Sequence, residues 1–142
     1  MSKGNTFEND LLKLVFNGDA IANLADNAGA SPLTDLYVSL HTADPGEDGN
    51  QSTSECTYTG YARVSVARTS GGWTITANSV SPTADIDFPQ ATAGSETATH
   101  MGIGTAASGA GKLLYSGAIS PNIAISNGVI PRLGTGTTIT ED

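Results

Sequence analysis

The 142-residue chain holds one cysteine, six basic residues, few aromatics at 6% and no long hydrophobic run. Cys56 on its own cannot form an internal disulfide, so stability must come from packing or assembly. No basic residue or helix start stands near it in sequence to lower its pKa, and the expectation is an inert thiol. The bases, Lys3, Lys13, Lys112, Arg63, Arg68 and Arg132, are scattered. Nucleic-acid binding draws its free energy from counterions released under a concentrated basic surface, so direct nucleic-acid binding is excluded. No stretch approaches the ~18 apolar residues of a membrane span, and MSKGNTFEND lacks the apolar core of an export signal. These absences predict a soluble, non-exported chain with no membrane partner.

What is present is acid, glycine and alternation. Fourteen acids against six bases make a net charge of −8. Residues 1–60 carry nine acids and two lysines, for −7, and residues 61–142 carry five acids and four bases, for −1. A solvated first half accounts for this asymmetry, and a basic partner is the alternative. With 38% hydrophobic residues the chain fills one core, while 17 glycines, six prolines and only 14% charge argue against long charged helices.

Asn5 and Glu8 form a capping-box pattern that starts a helix near Thr6, with Phe7, Leu11, Leu14 and Val15 at helical spacing and Glu8, Asp10 and Lys13 toward water. Asn17-Gly18 ends or loosens it, and Ile21, Ala22, Leu24 and Ala25 suit a second helical piece. From Leu36 the period becomes two: Leu36, Val38 and Leu40 face a core, with Tyr37, Ser39 and His41 opposite. Ala62, Val64 and Val66 predict a strand that turns at Ser70-Gly71-Gly72 into a hairpin with Trp73, Ile75 and Ala77. Further strands are expected around residues 86–88, 97–103, 112–119, 123–126 and 129–133, with Asn127-Gly128 as a type I′ hairpin turn. The TGTTIT ending makes an edge strand or a pairing arm. The fold class is mainly β: an antiparallel β-sandwich, with the jelly roll as one form of it, carrying a short N-terminal helical segment. Residues 1–30 read as a helical arm packed on the body or a partner, and residues 31–142 as the β-sandwich domain.

Chemical motifs fail on spacing. In Gly104–Leu113, Ala106 stands where a phosphate-binding loop needs its first glycine and Leu113 where it needs Ser or Thr, so the segment is a turn between strands. Asp44, Asp48, Gly49 and Glu55 match calcium-loop positions one, five, six and twelve, but Gly46 supplies no ligand at the third, so the loop reads as solvated and acidic. His41 and His100 have no metal-ligand spacing, and no nucleophile motif accompanies them. No catalytic residue, metal ligand or cofactor is assigned. Asn50-Gln51-Ser52 fits a glycosylation sequon, which needs an export route. Arg63 and Arg68 fall on opposite strand faces, and Tyr58 and Tyr61 suit interface packing.

LYVSLHTADPG at residues 36–46, YTGYARVSVART at 58–69, Gly72-Trp73 and GTAASGAGKLLYSG at 104–117 resemble a family of small virion proteins of tailed bacteriophages that often carry tail-fibre labels. The resemblance implies a non-enzymatic virion structural protein. The leading reading is decoration of the outer capsid surface through contacts with the major capsid protein, as a homo-oligomer or symmetric array. A tail or fibre-attachment component is the structural alternative. A carbohydrate-binding β-sandwich, using Trp73 or Tyr61, is the alternative of another class. The interface candidates are Phe7, Leu11, Leu14, Tyr58, Tyr61 and Ile139, with residues 1–16 and 134–142 as anchors.

Overall fold

The structure is a computed structural model and describes residues 5–21 and 32–141. Helix α1, Asn5–Leu12, runs into a π-helical turn at Lys13–Asn17. The strands are β1 Asp35–His41, β2 Val64–Ala67, β3 Trp73–Thr76, β4 Ser79–Pro82, β5 Ile86–Asp87, β6 Glu96–Gly104, β7 Leu113–Ile125, β8 Arg132–Leu133 and β9 Ile139–Thr140. The protein is mainly β, as the alternation predicts, and β1–β6, β6–β7, β3–β4, β4–β9 and β5–β8 all pair antiparallel. The chain forms two compact units: unit 1 comprises residues 1–35, 66–85 and 134–142, and unit 2 comprises residues 36–65 and 86–133.

In unit 1 a three-stranded sheet of order β3-β4-β9 receives α1, which contacts β3 and β4. Leu12 and Phe16, four residues apart, are fully buried, while Leu11, Leu14 and Val15 are only partly so. The buried stripe, Glu8, Leu12 and Phe16, lies one position round from the predicted one, and the offset is already present within α1, before the π-helical turn begins. Glu8, expected toward water, is 5% exposed. The side chains of Asn5 and Phe7 lie outside the described residues, as do Ala22, Leu24 and Ala25 of the second helical piece, whose first residue, Ile21, is in a β-bridge and not a helix. Gly18 ends the turn as predicted, with a left-handed φ of +73° and its N–H on the Lys13 carbonyl. Arg68 donates from Nε to the Val15 carbonyl at 2.6 Å and from Nη2 to the Leu14 carbonyl, placing positive charge where helical carbonyls are left over. Phe16 meets Trp73 edge to face at 4.8 Å.

The predicted hairpin at Ser70-Gly71-Gly72 does not form. Gly72 and Trp73 both donate to the Thr69 carbonyl, at 3.0 and 3.1 Å, which makes a helical turn that redirects the chain instead of folding it back. Accordingly, β2 joins the sheet of β1, and β3 pairs with β4 through a two-residue turn, Ala77-Asn78. Pro82 is tolerated in the central strand because β9 pairs only as far as Val80. The TGTTIT segment supplies the edge strand β9.

Unit 2 is built on the sheet of order β2-β1-β6-β7. Leu36, Val38 and Leu40 are buried as predicted, but so are Ser39 and His41 on the opposite face, both at 0% exposure. The register of β6 and β7 breaks between Ala98 and His100, where residues 119–122 of β7 bulge out; these residues include Pro121, which lies between the two strands expected there. Asn127-Gly128 forms a turn closed by Val129 N–H on the Ser126 carbonyl at 3.0 Å, but of the pair only Gly128 has a positive φ. A type I′ turn needs both, so the chain does not return along β7. It runs instead beside residues 86–91, where Phe88 and Ala91 donate to the carbonyls of Pro131 and Val129.

Candidate functional site

The polar face of β1 is a hydrogen-bonded cluster. Ser39 and His41, two residues apart, share that face. His41 Nδ1 lies 2.8 Å from the Thr53 carbonyl, which can only accept, so the ring proton sits there and Nε2 accepts from the Ser39 hydroxyl at 2.8 Å. Gly102 makes room for both: a Cβ there would stand 2.7 Å from Nε2 and 2.8 Å from Ser39 Oγ. Burial holds the imidazole below its usual pKa, opposed by the Thr53 hydrogen bond and by Glu55 and reinforced by the charge of Arg63 and by His100. A serine hydroxyl on a neutral histidine, with a carbonyl orienting the ring, is the arrangement of a nucleophile and its base. Here both side chains are sealed from solvent, so the hydroxyl is not presented to a substrate.

Beside it lies an ion pair that ties three loops. Arg63 grips Glu55 with two parallel bonds, Nε to Oε1 at 2.7 Å and Nη2 to Oε2 at 2.8 Å. The same guanidinium donates to the carbonyls of Ala106 at 2.9 Å and Gly109 at 2.7 Å. Tyr61 donates to Glu55 Oε1 at 2.9 Å and accepts the Leu40 N–H at 3.1 Å. Gln51 completes the fastening: its N–H donates to the Gly111 carbonyl at 3.1 Å and its Oε1 accepts from Ala106 N–H at 2.9 Å. Gly104 and Gly111 serve this contact, since a Cβ at Gly104 would lie 2.1 Å from Gln51 Cδ and one at Gly111 would lie 2.2 Å from Gln51 Oε1. The segment is the predicted turn between strands, here between β6 and β7, and it is fastened at both ends of the loop.

The expected apolar face of Ala62, Val64 and Val66 is only partly covered, whereas the Arg63 side chain is 2% exposed. A charged guanidinium can lie inside because Glu55 and two carbonyls satisfy it. Glu55, the twelfth position of the calcium-like loop, is thereby committed to Arg63, and Asp44 Oδ1 accepts the Gly46 N–H at 2.9 Å.

The interface candidates fall in different places. Tyr58 is 4% exposed, its hydroxyl on the Pro89 carbonyl at 2.8 Å; its ring meets Tyr61 at 5.3 Å, and Tyr61 stacks on Phe88. Phe7 belongs to α1, and Leu11, Leu14 and Ile139 are partly buried in unit 1. Trp73 is 1% exposed inside unit 1 and offers no ring face to a sugar, contrary to what the carbohydrate reading asks of it, while Tyr61 is half-buried with one ring face stacked on Phe88. Cys56 is buried, and burial and the neighbouring Glu96 push its thiol up to about 12. Sequence reasoning missed Gln51, Glu55 and the buried role of Arg63. The one available signal was a charged residue inside an apolar alternation, at Arg63.

Fastened loops, a closed hydroxyl and polar side chains bonded inward make a tightly hydrogen-bonded β-structure. Over residues 2–140 the chain matches the family described as podophage GP4 fiber I protein gp80, and it belongs to that family. It is thus a bacteriophage virion protein of the fibre type, with a structural role. Among curated proteins the chain has no match.

Proposed function

We propose that this protein is a fibre-type component of a podophage virion, holding its place through contacts with other virion proteins. The family match, covering residues 2–140, carries the reading. The fastening of residues 42–56 and 105–112 supports it physically, because a loop ordered before binding loses less entropy on contact. In this reading residues 1–30 supply the docking arm and residues 31–142 the body. In unit 1 Phe7, Leu11, Leu14 and Ile139 are the candidates for contact surface, and in unit 2 Tyr58 and Tyr61, packed with Phe88, stiffen that unit's own interior. Several copies in a symmetric set add modest contacts at high effective concentration.

Decoration of the outer capsid surface, with the major capsid protein as partner, is the second reading. It draws on the same multivalent logic and on the lopsided charge, −7 over residues 1–60, which suits a basic patch repeated across a shell. Electron microscopy of the intact virion separates the two. Density fitting this chain on the tail or its fibres is the expected outcome, and density confined to the shell would replace the first reading with the second.

A further inference from the structure

We propose that Ser39, His41 and Thr53 form a proton-operated clasp that holds the acidic loop of residues 42–53 closed at neutral pH and releases it on acidification. This goes beyond the virion assignment and holds whichever part of the virion carries the protein.

The clasp sits at the root of the loop. His41 is the last residue of β1 and bridges to Glu55 across the loop base. Thr42 N–H and Cys56 N–H, on either side, donate to the carbonyls of Ser54 at 2.8 Å and Leu40 at 2.9 Å. From the loop itself, the Thr53 carbonyl is held by the imidazole at 2.8 Å. Beyond this root Asp44, Glu47 and Asp48 are exposed. Gln51, two residues from the Thr53 root, fastens the glycine-rich loop through Gly111 and Ala106, so loosening the first loop loosens the second.

The hydrogen bonds allow two states. With His41 neutral, Ser39 donates to Nε2 at 2.8 Å. A proton arriving at Nε2 reverses that bond: Nε2–H donates to Ser39 Oγ, and the hydroxyl hydrogen turns to the Gly102 carbonyl, already 3.3 Å away. The second state thus has its bonds, but it places a cation in a site closed to water. Of the charged and titratable groups facing the ring, Glu55 favours that cation, whereas Arg63 and His100, from β6, oppose it. Glu55 is already bonded to Arg63 and Tyr61, so its charge is shared. With the folded value depressed below 6.5, the unfolded or opened segment binds more protons, and the closed state is fully favoured above 6.5 and loses ground as pH falls below it.

Amide hydrogen exchange of the full chain at pH 7.5 and pH 5, corrected for intrinsic rates, tests the clasp. Protection of Thr42, Gln51 and Cys56 is expected to fall by about tenfold or more on acidification while that of the β3–β4 pair in unit 1 stays constant. In His41→Gln, if folded, the acid-dependent loss disappears. Ser39→Ala, which leaves Nε2 without its partner, keeps a histidine and shifts the midpoint. Protection of the loop that does not change with pH in the wild type overturns the proposal. So does a uniform loss across both units, which is acid unfolding and not a clasp.

Discussion

Glu55 and Arg63 face each other through two parallel hydrogen bonds of 2.7 and 2.8 Å, the arginine side chain only 2% exposed and the glutamate 15%. Taking either charge away leaves the other in a place where water can replace the partner only in part.

Arg63→Met is therefore expected to cost about 3–5 kcal/mol of stability, since an unpaired carboxylate remains and the Ala106 and Gly109 carbonyls lose their donor. The double variant Arg63→Met/Glu55→Leu recovers much of that loss. Urea unfolding of the wild type, Arg63→Met, Glu55→Leu and the double variant makes the comparison, and strictly additive costs would remove the ion pair from the account.

Gly104→Ala is predicted to destabilise unit 2 by about 1–3 kcal/mol, because the new methyl would lie 2.1 Å from Gln51 Cδ. Gly109→Ala, five residues further along the same loop, meets no atom within 4 Å, and its cost comes only from a φ of +74°. A larger effect at Gly109 than at Gly104, by thermal denaturation, contradicts the packing explanation.

Trp73 is the single tryptophan and lies in unit 1 against Phe16. Its fluorescence is expected to be blue-shifted in the native protein and unmoved by added oligosaccharides. Trp73→Ala costs about 3–5 kcal/mol through the cavity it leaves. An emission maximum typical of water-exposed indole would contradict the burial.

The Cys56 thiol, pushed up to about 12, is expected to resist thiol reagents at pH 8 in the folded protein and to react at once in denaturant. Rapid modification of the native protein, followed by mass spectrometry, would show the site to be open.

Much of the fold is legible in local pattern, because alternation reports which residues face a core. Leu36, Val38 and Leu40 announce β1, and Gly18 announces the end of the helical segment. Pairing is not legible in the same way. Ser70-Gly71-Gly72 permits a hairpin and a helical turn alike, and the strand partners, distant β1 for β2 and adjacent β4 for β3, decide between them. The type I′ turn expected at Asn127-Gly128 fails for a similar reason, since the hydrogen bonds that fix it come from Ala91 and Gln90. The polar cluster was half visible: the period of two puts Ser39 and His41 on one face, but nothing local says that a second layer of contacts covers it. Arg63 and Gln51 were invisible as fasteners, because their partners Ala106, Gly109 and Gly111 lie 43 to 60 positions away. The resemblance carried by residues 36–46, 58–69 and 104–117 points to a bacteriophage virion protein, which the family match supports, while the capsid-decoration form of that reading goes further than the match.

The interleaving of the two units bears on how the protein is made. The backbone crosses between them four times, at 35/36, 65/66, 85/86 and 133/134. Unit 1 waits for β9, whose Ile139 pairs with Val80, so the free side of β4 stays unmatched while 139 − 80 = 59 further residues are translated. At ribosomal speeds that interval lasts about 3–12 s. During it the nascent chain displays an open strand to every neighbour on the polysome, and neither unit can be expressed alone by cutting the gene at a single point.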